Sequence, residues 1–281
     1  MRLPRFLKGP QDRGNTQGIP PAGADPQADH PPDLAGRRRF LAEHIFVHTH
    51  VPKAAGSSLS HALAGIVGGA NAMDLRLKRG IRPGQMSDDD KRELSLISGH
   101  FVYGMHEKFP QTPLYIASLR EPVERAVSYY RFVLGAPNHP NHQEFQELGF
   151  EKSWVQMTGR AASTRSNEQS AIICGVRPGN QPDEALLWQR AKEDYFLIVP
   201  QVQIDDAIKR LRAAFGLPWT RVPKMNASTA PGLEVSKDAQ EKILEANQLD
   251  AQLEAWARDS YTQNINRAVS KIAHHCLKDG G

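Results

Sequence analysis

The sequence predicts an α/β fold on parallel strands, and three stretches carry that prediction. Ile45-Phe46-Val47-His48-Thr49 is a β-branched and aromatic run that passes through Val51-Pro52-Lys53-Ala54-Ala55-Gly56 into an apolar-periodic segment, the order strand, tight loop, helix. Leu114-Tyr115-Ile116-Ala117-Ser118-Leu119 repeats that order, leading through Arg120-Glu121-Pro122 into an amphipathic stretch that ends at Leu134. Tyr195-Phe196-Leu197-Ile198-Val199 is a third buried run, closed by Pro200. Buried strands alternating with helices imply a parallel sheet with helices on its faces.

The 281 residues suffice for one good-sized core plus a tail. Residues 1–39 hold Pro4, Pro10, Pro20, Pro21, Pro26, Pro31 and Pro32 with scattered glycine and little apolar periodicity, so they are expected to be a disordered tail, leaving 40–281 as the folded domain. Arg2, Arg5, Lys8, Arg13, Arg37, Arg38 and Arg39 against Asp12, Asp25, Asp29 and Asp33 account for three of the four net positive charges. The body is therefore near neutral, which argues against nucleic acid as partner. No run approaches the ~18 apolar residues of a membrane span, and Cys174 and Cys276 are too isolated for a disulfide framework or a zinc site. A cytoplasmic protein is expected, with peripheral membrane contact left open and no metal.

Taken in order, a helix is expected from about Ser58 to Val67. A long basic loop follows over 68–92, with Arg76, Lys78, Arg79, Arg82, Lys91 and Arg92 and a short helix after Asp88. Leu94 to Ser98 reads as a further parallel strand that ends at Gly99-His100. After the helix that ends at Leu134, residues 135–165 read as irregular; His139 and His142 lie there without a carboxylate or cysteine to complete a metal set. Ala171 to Cys174 is a short apolar piece and 182–193 a helix. Another helix spans Ile204–Phe215, stopped by Gly216-Leu217-Pro218, and Pro223–Ser228 is a polar loop. Two helices close the chain, from Ser236 to about Asn247 and from about Leu249 to Cys276.

The first loop has the makings of an anion site. A helix N-terminus offers unpaired N–H groups and the positive end of its dipole, Lys53 adds a charge, Gly56 permits close backbone approach, and Ser57 and Ser58 supply hydroxyls or a cap. The lysine precedes the glycine, unlike the G-x-x-x-x-G-K-[ST] loop of nucleotide triphosphatases. Ser128 lies opposite the apolar stripe of Val123, Ala126, Val127, Tyr130, Val133 and Leu134, and Arg120 stands at the strand exit, a pair suited to a second phosphate. His100, at the carboxyl end of a strand, is placed for general base catalysis, with His106 as the fallback.

With both segments in view, the chain resembles the sulfotransferases that use 3′-phosphoadenosine 5′-phosphosulfate (PAPS), in particular the carbohydrate 2-O/6-O branch and its bacterial relatives. His50-Val51-Pro52-Lys53-Ala54-Ala55-Gly56-Ser57-Ser58-Leu59 matches their first motif, with Ala54 in place of a usual threonine or serine, and Leu119-Arg120-Glu121-Pro122-Val123-Glu124-Arg125 with Ser128 matches the second. Weaker similarity runs through Gly99-His100, Tyr195 to Ile208, Asn226-Ala227-Ser228 and Asn247-Gln248-Leu249-Asp250. The resemblance implies a P-loop nucleotide-kinase-like parallel sheet flanked by helices, with a helical C-terminal part. It implies that Lys53 and the N–H groups of Ala55, Gly56, Ser57, Ser58 and Leu59 hold the 5′-phosphosulfate, that Arg120 and Ser128 hold the 3′-phosphate, and that Lys53 and His100 are catalytic.

The expected reaction is metal-free sulfuryl transfer from PAPS to a hydroxyl, a glycan being the first choice of acceptor. Two rival readings are a P-loop kinase-like phosphotransferase and a catalytically degenerate nucleotide-binding protein. The sequence sets neither acceptor identity nor oligomeric state.

Overall fold

The structure is a computed structural model that describes residues 34–77, 82–155, 166–219 and 233–277. Five strands form one sheet: β1 (His44–Thr49), β2 (Ala72–Asp74), β3 (Leu96–Gly99), β4 (Thr112–Leu119) and β5 (Tyr195–Pro200), in the order β2-β3-β1-β4-β5. Every neighbouring pair is parallel, with His48 opposite Ser98 on one side and Ile116 on the other. The helices are α1 (Leu34–Glu43), α2 (Gly56–Val67), α3 (Asp88–Arg92), α4 (Pro122–Leu134), α5 (His142–Val155), α6 (Glu168–Cys174), α7 (Glu184–Gln189), α8 (Ile204–Ala214), α9 (Lys237–Ala246), α10 (Gln248–Asp259) and α11 (Tyr261–Leu277).

Alternation along the strands splits the core in two. Phe46, Leu96, Leu114, Ile116, Leu197 and Val199 pack with α2, α8 and α11 on one face. Ile45, Val47, Ile97, Tyr115, Ala117 and Ile198 pack with α6, α7 and α10 on the other. A third cluster joins Tyr129, Tyr130 and Val133 of α4 to Phe145 and Phe150 of α5 and Ile243 of α9.

The topology fixes where a ligand can sit. All strands point the same way, so their exits line one edge of the sheet, and the chain leaves β1 toward β2 and β3 but leaves β4 toward β5. The crevice between the carboxyl ends of β1 and β4 is thus the switch point at which open α/β sheets bind ligands.

Four expectations change. Residues 34–39, assigned to the tail, form the start of α1, where Phe40 is fully buried beside Phe215; the rest of that assignment, residues 1–33, lies outside the described residues. The basic loop contains the three-residue edge strand β2, too short to show a period. The stretch read as irregular contains α5, kinked at Gly149 (φ 71°), a break that interrupts its helical spacing. The last expected helix is two, parted at Ser260, whose hydroxyl turns back to Trp256 O at 2.7 Å. The Pro223–Ser228 loop lies outside the described residues.

Candidate functional site

Strand exits deliver the site residues one by one. After β1, Val51 and Ala54 are buried anchors, while Lys53 (φ 65°) and Ala55 (φ 61°) take the left-handed conformation that L residues avoid. Each such residue costs on the order of 1–3 kcal/mol. These two residues turn the chain into the start of α2 at Gly56. Ser58 N–H and Leu59 N–H fold back to Ala55 O at 3.1 and 3.4 Å, so the donors left for a ligand are those of Ala55, Gly56 and Ser57. This narrows the expected five-donor cradle to three.

Gly56 is required by a neighbour within the chain. A Cβ built on it would stand 2.4 Å from the His50 ring, which lies against the helix end. The expected reason, close approach of a ligand, is thus joined by an internal one.

Lys53 reaches across to α4, its Nζ 4.5 Å from the centre of the Phe132 ring. Burial, and then the charge of Arg120, lowers its pKa from the ordinary lysine value. Arg120 is the first residue past β4, and its main chain is clamped twice by the buried Gln169: Arg120 N–H donates to Oε1 (2.9 Å) and Gln169 Nε2 donates to Arg120 O (2.8 Å). Its side chain bonds Glu124 at 3.3 Å. Glu121 caps α4 by accepting from Val123 N–H and Glu124 N–H, with Pro122 at the first helical position. Steps of four residues place Arg120, Glu124, Ser128 and Phe132 along one ridge, with Ser128 half-buried one turn before the ring that Lys53 covers.

Arg125, the last residue of the second motif, is structural. Its guanidinium is 2% exposed and bonds Glu168 at 2.5 Å, with Asp250 4.0 Å away. Asp250 accepts from Gln169 N–H and Ser170 N–H at the start of α6. Asn167 and Asn247 cap each other's helices: Asn167 N–H donates to Asn247 Oδ1 (3.0 Å), and Leu249 N–H donates to Asn167 Oδ1 (3.0 Å).

On the β3 side, His100 is exposed and keeps Nδ1 against the protein, 2.9 Å from His50 O and 3.3 Å from His50 Nδ1. His50 is buried and accepts at Nε2 from Arg76 Nη1 at 2.8 Å. Burial, His48, Arg76 and His100 push its pKa down to about 2. His48, wholly buried, has Nδ1 2.9 Å from both Ser60 Oγ and Ser98 Oγ; burial first, then Arg76 and His100, lowers it to about 3. Ser98 thus shares an imidazole supplied by the neighbouring strand β1.

Arg76, just past β2, is the residue that sequence reasoning missed as part of the site. It donates to Ser57 Oγ (3.0 Å), Ser60 Oγ (3.3 Å) and His50, and pairs with Asp74. Burial alone would raise the Asp74 carboxyl, but the bonds from Arg76 outweigh it and hold it below the ordinary value. The only signal in sequence was one arginine among several in the basic stretch.

His106 stands elsewhere. Its Nδ1 accepts from Tyr115 Oη at 2.8 Å, and that hydroxyl accepts from Gly104 N–H and His106 N–H. It serves to hold a turn. His139 accepts from Asn141 N–H within the loop, and His142 Nδ1 at the start of α5 donates to Val133 O in the last turn of α4. Among the described residues the one grouping with metal-ligand chemistry is Glu43, His44 and His275, at the opposite edge of the sheet. His44 Nδ1 donates to Phe40 O, and His275 Nε2 lies 3.2 Å from the Glu43 carboxylate without hydrogen-bond geometry.

Four neighbouring strands therefore bring Arg76, His100, the Lys53 loop and Arg120 to one edge, in that spatial order. No family model matches the chain, and no curated protein matches it.

Proposed function

We propose that the chain is a sulfotransferase that takes PAPS as donor and passes its sulfuryl group to a hydroxyl, of a carbohydrate by preference, on a P-loop kinase-like core. The observation that carries this reading is the convergence of Lys53 and Arg120. They leave neighbouring strands at the switch point, close enough for one charge to lower the other's pKa. Two like charges held together in a half-buried crevice favour a ligand with two anionic ends. Ser128 lies on the ridge between Arg120 and the Lys53 contact and supports the same assignment.

In the proposed reaction the bond between the 5′-phosphate oxygen and sulfur breaks as sulfur bonds the acceptor oxygen. The electron pair stays on the phosphate and the acceptor proton passes to His100. Lys53 with Ala55, Gly56 and Ser57 N–H would neutralise the leaving oxygen. Lys53 is free to do so, because its contact with the half-exposed Phe132 is worth about 0.5–1 kcal/mol, less than a charge-assisted bond to phosphate.

Calorimetry tests the proposal with three probes: adenosine 3′,5′-bisphosphate, ATP, and ATP with Mg²⁺. Tight, metal-independent binding of the bisphosphate, with weak binding of ATP, is the expected result, followed by transfer of labelled sulfate to a glycan panel. Preference for Mg²⁺-ATP would replace the proposal with the kinase reading, and bisphosphate binding without transfer to any hydroxyl would support a degenerate protein.

A further inference from the structure

His100 Nδ1 faces two neighbours with opposite demands. An arginine can only donate, so His50 must accept at Nε2 and, being neutral, carries its own proton on Nδ1, which lies 3.3 Å from His100 Nδ1. That N–H asks His100 Nδ1 for a lone pair. His50 O, 2.9 Å from the same nitrogen, asks it for a proton. The outcome decides the chemistry of the exposed ring, because His100 Nε2 offers a lone pair to an acceptor hydroxyl only when Nδ1 is protonated.

We propose that Arg76 is a positioning residue that sets, through His50, which nitrogen of His100 carries the proton, and that an anion at the start of α2 frees the base by drawing the guanidinium away from His50. This rests on the sulfotransferase reading for the identity of the anion. The geometry supplies the coupling, since Arg76 Nη1 is shared between His50 Nε2 (2.8 Å) and Ser57 Oγ (3.0 Å), a residue of the donor loop. The groups facing His50 are His48 in β1, Asp74 at the end of β2, Arg76 just past it, and His100 past β3. With Arg76 engaged, His50 Nδ1–H favours a lone pair on His100 Nδ1 and a proton on Nε2, the form unable to accept a proton from the hydroxyl. With Arg76 withdrawn, His50 can move its proton to Nε2. Both His50 Nδ1 and His50 O then accept from His100 Nδ1–H, and Nε2 becomes the base. Each exchange moves one proton through water and leaves both rings neutral.

Long-range nitrogen–proton correlation spectra of the full chain with ¹⁵N-labelled histidine read the tautomers directly. The expected result is Nε2–H for His100 in the free protein, a switch to Nδ1–H in Arg76→Met, which removes every side-chain donor, and the parent form retained in Arg76→Lys, which keeps one donor toward His50. The buried His48 signal reports whether each variant is folded. Saturating adenosine 3′,5′-bisphosphate is expected to produce the same switch in the parent chain. An unchanged His100 in folded Arg76→Met overturns the role of Arg76, and a response to the substitution but not to bound bisphosphate overturns the anion coupling. Failure of the bisphosphate to bind at all is a separate result, seen by calorimetry, that counts against the donor assignment while the substitution arm still decides the first claim.

Discussion

Acid should unfold this protein early, and His48 allows the effect to be isolated. The folded state holds His48 at about 3 and His50 at about 2, against about 6.5 for a free imidazole. A depressed histidine pKa means that the unfolded chain binds more protons, so stability is complete above the unfolded pKa and falls as pH drops below it. At about pH 5 each ring costs roughly 2 kcal/mol relative to about pH 7.5, or about 4 kcal/mol for the pair, at ~1.4 kcal/mol per unit. With a urea slope of about 2–3 kcal/mol/M for a domain of this size, the midpoint should fall by about 1.5 M. His48→Asn keeps a polar group near Ser60 and Ser98 but cannot titrate. Urea unfolding followed by circular dichroism at both pH values should show the variant less stable at neutral pH, yet with a pH-dependent loss smaller than the parent's by roughly 2 kcal/mol. An identical loss in parent and variant would show that His48 is not held neutral in the folded state.

Four other substitutions separate binding from architecture. Lys53→Ala should abolish sulfate transfer, and retention of parental turnover would remove it from the mechanism. Arg120→Ala should chiefly weaken bisphosphate affinity, read by calorimetry, since Gln169 holds the main chain of that residue whatever its side chain. Gly56→Ala drives a methyl into the His50 ring and should cost about 1–3 kcal/mol of stability along with activity; a neutral effect in thermal unfolding would contradict the packing. Arg125→Ala leaves Glu168 and Asp250 buried without their cation and should cost about 3–5 kcal/mol, measured by urea unfolding.

The sheet was legible where strands were long and apolar. β1, β4 and β5 announced themselves, as did the turn into α4 through Glu121 and Pro122, because those residues have local work to do. β2 was not legible: three residues show no period, and Arg76 gains its role only when that short strand lays it beside the end of α2. α5 was hidden by Gly149, which breaks the spacing that identifies a helix. For the site, Lys53, Arg120 and His100 stood at strand exits, where position alone is informative. Arg125 belonged to the same motif, yet its burial depends on Glu168 and Asp250, which no local pattern connects to it.

The paired asparagines carry a consequence for anyone wishing to trim the chain. Asn167 and Asn247 lock two helix starts together, the first of those helices presents Gln169, and Gln169 grips the peptide of Arg120. A fragment ending before Asn247 would retain all five strands and every residue of both motifs while forfeiting the brace that aims one of its two cations. The sheet is therefore no portable cassette: its working edge is finished by a segment that follows every strand in the chain.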